Sequence, residues 1–131
     1  MYKEIYLVDD EELINTVHAL MFRKLGLEDK LRSFTNPELA LDCLRFRENP
    51  EERILLFLDI NMPYMDGWEF LAEFALLKPN LSKKIIIYMV SSSVSDLDIN
   101  RAKEISDVTD YIIKPITVDS FNALIESLEN L

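Results

Sequence analysis

Short apolar runs alternate with helical apolar spacing from one end of the chain to the other. Ile5-Tyr6-Leu7-Val8 is a brief run of β-formers, stopped by Asp9-Asp10-Glu11-Glu12. From Leu13 to Leu25 the period lengthens: Ile14, Val17, Met21 and Leu25 recur at helical spacing, with the acidic cluster at the end where the helix dipole favours it. Gly26 suits the position just past that helix. Leu31 to Phe34 predicts a second strand. Asn36-Pro37 opens a second helix with proline at its first position, and Leu39, Cys43 and Phe46 share a face expected to pack inward.

The polar connection Pro50-Glu51-Glu52-Arg53 leads into Ile54-Leu55-Leu56-Phe57-Leu58, apolar at every position. A strand apolar on both faces is what a central parallel sheet covered by helices requires. The loop Asn61-Met62-Pro63-Tyr64-Met65-Asp66-Gly67 follows, then a helix from about Trp68 to Leu77. Ile85 to Val90 is a second fully apolar run, trailed by Ser91-Ser92-Ser93. A more polar helix spans Asp96 to Glu104, Tyr111-Ile112-Ile113 is the last strand, and Thr117 caps a final helix through Leu128. Five β-α repeats of this kind predict a doubly wound α/β fold with a mainly parallel sheet. Ligands of such sheets bind beyond the carboxyl ends of the strands, where strand order reverses.

Composition narrows the classes of partner. The 131 residues suit one domain, 1–131, and 49% hydrophobic against 29% charged residues supports a core without disulfides or a structural metal. Lys plus Arg is 14 and Asp plus Glu is 24, a net charge of −10. That balance excludes a generic nucleic-acid binder, which needs a basic face, and makes acidic membranes poor partners. One cysteine, Cys43, forms no internal disulfide and is most simply a small core residue. With neither a signal peptide nor a membrane-spanning stretch in the sequence, a cytoplasmic protein is expected. Two glycines, Gly26 and Gly67, exclude a glycine-rich phosphate loop by count alone.

The residues after each apolar run carry chemistry. Asp9 and Asp10 end the first, Asp59 the third, Ser91 and Ser92 the fourth, and Lys114 the fifth, so all are expected at one edge of the sheet. Three carboxylates in one crevice repel one another, and a hard divalent cation relieves them; Mg²⁺ fits such a donor set. A carboxylate nucleophile, a metal, a fixed cation and a hydroxyl make a phosphoryl-acceptor site. His18 is expected beside the Val17–Met21 stripe, away from the strand ends, as a partly buried structural residue. As the only histidine it completes no Ser-His triad. Glu11 reads as a solvated first-turn acid, Gly67 as the turn into the third helix, and Met62, Met65 and Phe70 as packing.

Taken in order, Leu7-Val8-Asp9-Asp10-Glu11, Leu58-Asp59-Ile60-Asn61-Met62-Pro63-Tyr64-Met65-Asp66-Gly67-Trp68-Glu69, the serine run and Tyr111-Ile112-Ile113-Lys114-Pro115 resemble the response-regulator receiver domains of two-component signalling, of the chemotaxis-regulator type. The resemblance covers essentially the whole chain. It implies a flavodoxin-like five-stranded parallel sheet of order 2-1-3-4-5. It implies that Asp59 is the phosphoacceptor and that Asp9, Asp10, Asp59 and the backbone carbonyl of Asn61 hold Mg²⁺. Lys114 would pair with the aspartyl phosphate, Ser91 would supply the switch hydroxyl with Ser92 as the alternative, and Tyr111 would be the aromatic that moves with it. The peptide before Pro115 is usually cis in the family. The implied partners are a sensor histidine kinase or histidine phosphotransfer protein and a downstream protein target. The chain departs from the pattern at Ser106-Asp107-Val108-Thr109-Asp110, where relatives commonly carry a Gly-Ala pair.

Three other readings compete, of which a flavodoxin-type flavin carrier is disfavoured because Asp9-Asp10 would repel its phosphate. A haloacid-dehalogenase-type phosphatase also places a nucleophilic Asp after a strand, but needs a second Asp two residues on, where this chain has Asn61. An amide neither gives nor takes a proton, so turnover would stall at the aspartyl phosphate and the chain is read as a switch rather than an enzyme. A non-phosphorylated interaction module is the remaining rival. If the chain is the full protein, output is expected through protein contacts of the fourth strand-helix unit, Tyr111 and the last helix; if it is an excised fragment, output lies beyond its C-terminus.

Overall fold

A computed structural model describes residues 2–47, 49, 51–81 and 84–129. Pro50 of the predicted polar connection and Leu131 at the end of the sequence lie outside the described residues. Five strands, β1 (Glu4–Val8), β2 (Leu31–Phe34), β3 (Ile54–Asp59), β4 (Ile85–Ser91) and β5 (Val108–Ile113), alternate with five α-helices. The helices are α1 (Glu12–Lys24), α2 (Pro37–Arg45), α3 (Gly67–Leu77), α4 (Asp96–Glu104) and α5 (Val118–Glu129). All strand pairs are parallel and the sheet order is β2-β1-β3-β4-β5, as the resemblance implies.

Strand alternation divides the interior into two cores. Tyr6 and Val8, Leu56 and Leu58, and Ile87 and Met89 point to one face, where Ala40, Leu41 and Leu44 of α2, Phe70, Leu71 and Phe74 of α3, and Ala102 of α4 cover them. Ile5 and Leu7, Leu55 and Phe57, and Tyr88 and Val90 point to the other, against Met21 and Phe22 of α1 and Phe121 and Leu124 of α5. β3 is buried at all six positions, the burial its unbroken apolar run requires.

Helix ends follow local chemistry. Asn36 accepts the amide of Glu38 ahead of Pro37. Asp66 and Glu69 form a reciprocal capping box at α3. Thr117 accepts from Ser120 at α5, and Gly26 takes φ 72 just beyond α1.

Three expectations need correction. The inward face of α2 is Pro37, Ala40, Leu41 and Leu44; Leu39 is exposed, Phe46 is 74% exposed and Cys43 is half-buried. Apolar residues lie on two sides of this helix, and spacing alone does not say which side meets the sheet. The buried face of α1 is Asn15, His18, Met21 and Phe22, rotated from the Ile14–Val17–Met21–Leu25 stripe, so Val17 is largely exposed. The last strand begins at Val108 rather than Tyr111. Its first half is polar because β5 is an edge strand, and a bulge opposite Ile87 and Tyr88 takes up Thr109.

Candidate functional site

Strand register brings the chemistry together. Val8 pairs with Leu58 and Asp59 with Val90, so Asp9 and Asp59 leave adjacent strands at the same level. Backbone bonds extend the ladders into the site: Asp9 N–H donates to Phe34 O (3.0 Å) and Lys114 N–H to Ser91 O (2.9 Å). Lys114 Nζ thereby reaches Asp9 Oδ2 at 2.6 Å and Asp59 Oδ1 at 3.0 Å. Carboxylate oxygens of Asp9, Asp10 and Asp59 all lie within 4.8 Å of one another.

Burial sets the electrostatics. Asp9 and Asp59 are almost wholly enclosed. Burial pushes Asp59 up to about 6; the hydrogen bond from Lys114 opposes this, while the charges of Asp9 and Asp10 add to it. Burial works against the charge on Lys114, but hydrogen bonds to Asp9 and Asp59 outweigh it and hold the ammonium above its ordinary range. Asp10 Oδ1 is buried without a hydrogen-bond partner among the described residues. A buried carboxylate oxygen lacking a donor is costly, and three convergent hard oxygen ligands fit a divalent cation such as Mg²⁺.

The remaining positions fall around this centre. Ser91 is fully buried at the end of β4, its Oγ accepting from Ser93 N–H (3.1 Å), whereas Ser92 is exposed. The Tyr111 hydroxyl donates to Ser93 O at 2.9 Å, tying β5 to the loop after β4. Asn61 is exposed two residues past Asp59, Glu11 N–H donates to Asp9 Oδ1 at 2.9 Å, and the Glu11 side chain is solvent-facing as expected. The Lys114–Pro115 peptide is cis.

Gly67 stands at the turn into α3, as expected, and close approach is what demands glycine there: a Cβ would lie 2.5 Å from Asp59 O and 3.0 Å from Ile60 Cα. Its N–H donates to Ile60 O at 2.8 Å, so the start of α3 lies directly against the end of β3. The left-handed residue of this loop is the exposed Tyr64, at φ 67.

His18 is not away from the strand ends. It is 3% exposed, and with Asn15 it lines a small cavity shared with Asp9, Asp59 and Ile116. Its Nε2 accepts the N–H of Ile116 at 3.0 Å, and Asn15 Nδ2 donates to Asp9 O at 2.9 Å. Burial pushes the imidazole down to about 4, with Asp9 opposing and Lys114 adding, so the ring is neutral at physiological pH. The signal in the sequence was two polar residues, Asn15 and His18, at helical spacing on the side of α1 opposite its most exposed leucines, Leu13 and Leu20.

Comparison with known proteins agrees with this fold. The family model for the response regulator receiver domain matches residues 5–126. The probable methanogenesis regulatory protein FilR2 of Methanothrix harundinacea is 28% identical, over 95% of this chain and 80% of that protein. The sensor histidine kinase CheAY of Helicobacter pylori is 29% identical over 91% of this chain, which spans 14% of that much longer protein. The crystal structure of a two component response regulator from Cytophaga hutchinsonii superposes with a TM-score of 0.86 at 26% identity, covering 98% of this chain and 97% of that one. With the family match running from β1 into α5 and a like fold in the Cytophaga regulator, this chain belongs to the response regulator receiver domains of two-component signalling.

Proposed function

We propose that the chain is a phosphorylation-dependent switch, a single receiver domain in which Asp59 accepts a phosphoryl group. The observation that carries this reading is the meeting of Asp9, Asp10, Asp59 and Lys114 at one edge of the sheet, with Lys114 bridging two of the carboxylates. With its pKa near 6, Asp59 is mostly the carboxylate at neutral pH, the form that attacks phosphorus. Its oxygen forms the new P–O bond as the P–N bond of a phosphohistidine, or the P–O bond of an acyl phosphate, breaks. The electron pair leaves with the donor, and Asp59 becomes a mixed anhydride.

Asp9, Asp10, Asp59 and the Asn61 carbonyl would hold Mg²⁺. When bound, the ion supplies positive charge beside the phosphoryl oxygens. Lys114 supplies a second, permanent charge and pairs with the product phosphate. Ser91 would give the switch hydroxyl, exchanging its bond to Ser93 N–H for the phosphoryl group. Tyr111, bonded to the same loop at Ser93 O, would carry that change to the surface formed with α4 and α5.

A sensor histidine kinase or a histidine phosphotransfer protein is the donor this chemistry suits, and the likeness to part of CheAY supports it. The downstream target is then a protein, and the cytoplasm the place of action. Among the described residues no helix is long and apolar enough to cross a membrane.

The test is the chemistry of the label. Incubated with Mg²⁺ and labelled acetyl phosphate, the protein acquires a phosphoryl group that hydroxylamine removes, as it does acyl phosphates and not serine esters. Asp59→Asn abolishes the label; Ser91→Ala retains it but blunts the response. Label surviving hydroxylamine, or persisting in Asp59→Asn, points to serine chemistry or another acceptor. No label in the wild type points to a non-phosphorylated interaction module.

A further inference from the structure

Asp9, Asp59 and Lys114 continue the rows Ile5–Leu7, Leu55–Phe57 and Ile112, the residues that face α1 and α5. α1 therefore meets the charged edge of the sheet with its first turns. Its buried residues change character accordingly: Asn15 and His18 beside the site, then Met21 and Phe22 one turn further on. Both polar side chains hold backbone rather than each other. Asn15 bonds the carbonyl of Asp9, and His18 bonds the amide of Ile116. Ile116, itself 2% exposed, is two residues beyond Lys114. The short segment carrying the lysine is thus fixed at both ends, by Lys114 N–H to Ser91 O on β4 and by Ile116 N–H to His18 on α1.

We infer that His18 is a positioning residue for Lys114: by anchoring Ile116 to α1, it holds the segment that keeps the ammonium between Asp9 and Asp59. The imidazole suits the task because Nε2 accepts while the ring proton sits on Nδ1, the tautomer this bond requires. An apolar residue of similar size fills the same volume but leaves a buried amide unpaired, and the segment is then free to move toward another partner. The inference rests on the role proposed for Lys114, since positioning matters to function only if the ammonium meets the phosphoryl group.

The experiment is a double-mutant cycle with His18→Leu, Lys114→Ala and their combination, plus His18→Gln, whose Oε1 is able to accept the Ile116 amide. The readout is the rate of hydroxylamine-labile labelling by acetyl phosphate at saturating Mg²⁺. His18→Leu slows labelling about tenfold, the scale of losing a residue that orients a reacting group. His18→Gln recovers most of that loss. In the Lys114→Ala background His18→Leu adds nothing, because the residue it acts through is gone. Wild-type rates in His18→Leu, or equal slowing in both backgrounds, would overturn the inference. Amide exchange at Ile116 in the wild type is the independent check, and reads the anchor even if His18→Leu does not fold. The amide is expected to be as protected as those of β5, and exchange at the rate of a solvent-exposed amide refutes the anchor. Absence of label in the wild type removes the phosphoacceptor reading instead, and leaves the Ile116 measurement to judge the anchor alone.

Discussion

At Asp59, burial and the chemistry proposed for it pull in opposite directions. Its pKa of about 6, against 3.8 for an ordinary aspartate, means that the fold favours the protonated form. The cost of ionisation is therefore absent below about pH 4 and fully developed above pH 6, where it amounts to about 3 kcal/mol. Asp59→Asn removes it. In metal-free urea denaturation the variant is more stable than the wild type at pH 7.5, and the difference shrinks as the pH falls to 4. His18 also titrates in this window, with the opposite sign: held neutral by burial, it costs stability as pH falls from 6.5 toward 4. Being common to both proteins, it cancels in the difference. A gain independent of pH would mean that Asp59 is not held in this environment. Gly67 is the second residue under strict constraint. The Cβ of Gly67→Ala would meet the backbone of Asp59 and Ile60, which cannot step aside as a flexible side chain does. A loss of about 1–3 kcal/mol is expected in the same denaturation, with slowed labelling because the end of β3 is displaced. Wild-type stability would show that α3 does not press on β3.

Among the elements, α4 is the least embedded helix. Ala102 is its only buried residue, while α1, α2 and α3 each bury four. A side-chain contact to α3 compensates in part: the Arg101 guanidinium lies 4.4 Å from the centre of the half-buried Trp68 ring. Such a cation–π pair is worth about 0.5–2 kcal/mol. Arg101→Ala should therefore speed amide exchange in α4 while leaving α1 and α3 unchanged, and shift the emission of Trp68, the single tryptophan. Unaltered exchange in α4 would show that packing on β5 alone holds it. Because Trp68 lies in the first turn of the helix that follows the Asp59 loop, the same pair links that loop to the face proposed for output.

For the molecule as a whole, a net charge of −10 and three clustered carboxylates make cations the dominant solution variable. Two effects separate by dose. Monovalent salt screens the general repulsion and stabilises the wild type and Asp10→Ala alike. If Asp9, Asp10 and Asp59 hold Mg²⁺ as proposed, the ion at ten times its dissociation constant is expected to add about 1.4 kcal/mol to the unfolding free energy of the wild type. At that concentration Asp10→Ala gains much less. Equal Mg²⁺ gains in both proteins at matched ionic strength would place the cation elsewhere.

What the sequence determined is what local physics encodes. The short, fully apolar runs 54–58 and 85–90 have the length and β-formers of interior strands, Asn36-Pro37 and Thr117 are favourable helix starts ahead of apolar helical spacing, and a charged or hydroxyl residue after a strand lies at the sheet's edge under right-handed β-α winding. Hence the doubly wound fold class and the placing of Asp9, Asp10, Asp59, Ser91 and Lys114 at one edge of the sheet were legible along the chain, while the strand order followed from the family resemblance. Only tertiary structure decided which side of a two-sided helix goes in. For α2 the choice fell on Ala40, Leu41 and Leu44 rather than Leu39 and Phe46, since small and aliphatic residues let the helix lie close to β1 and β2. For α1 it fell on Asn15 and His18, because the face that meets a charged sheet edge must supply hydrogen bonds there, not apolar surface. The need for glycine at 67 was likewise invisible along the chain. It arises from the approach of α3 to the backbone of Asp59, a distance between segments and not a property of either.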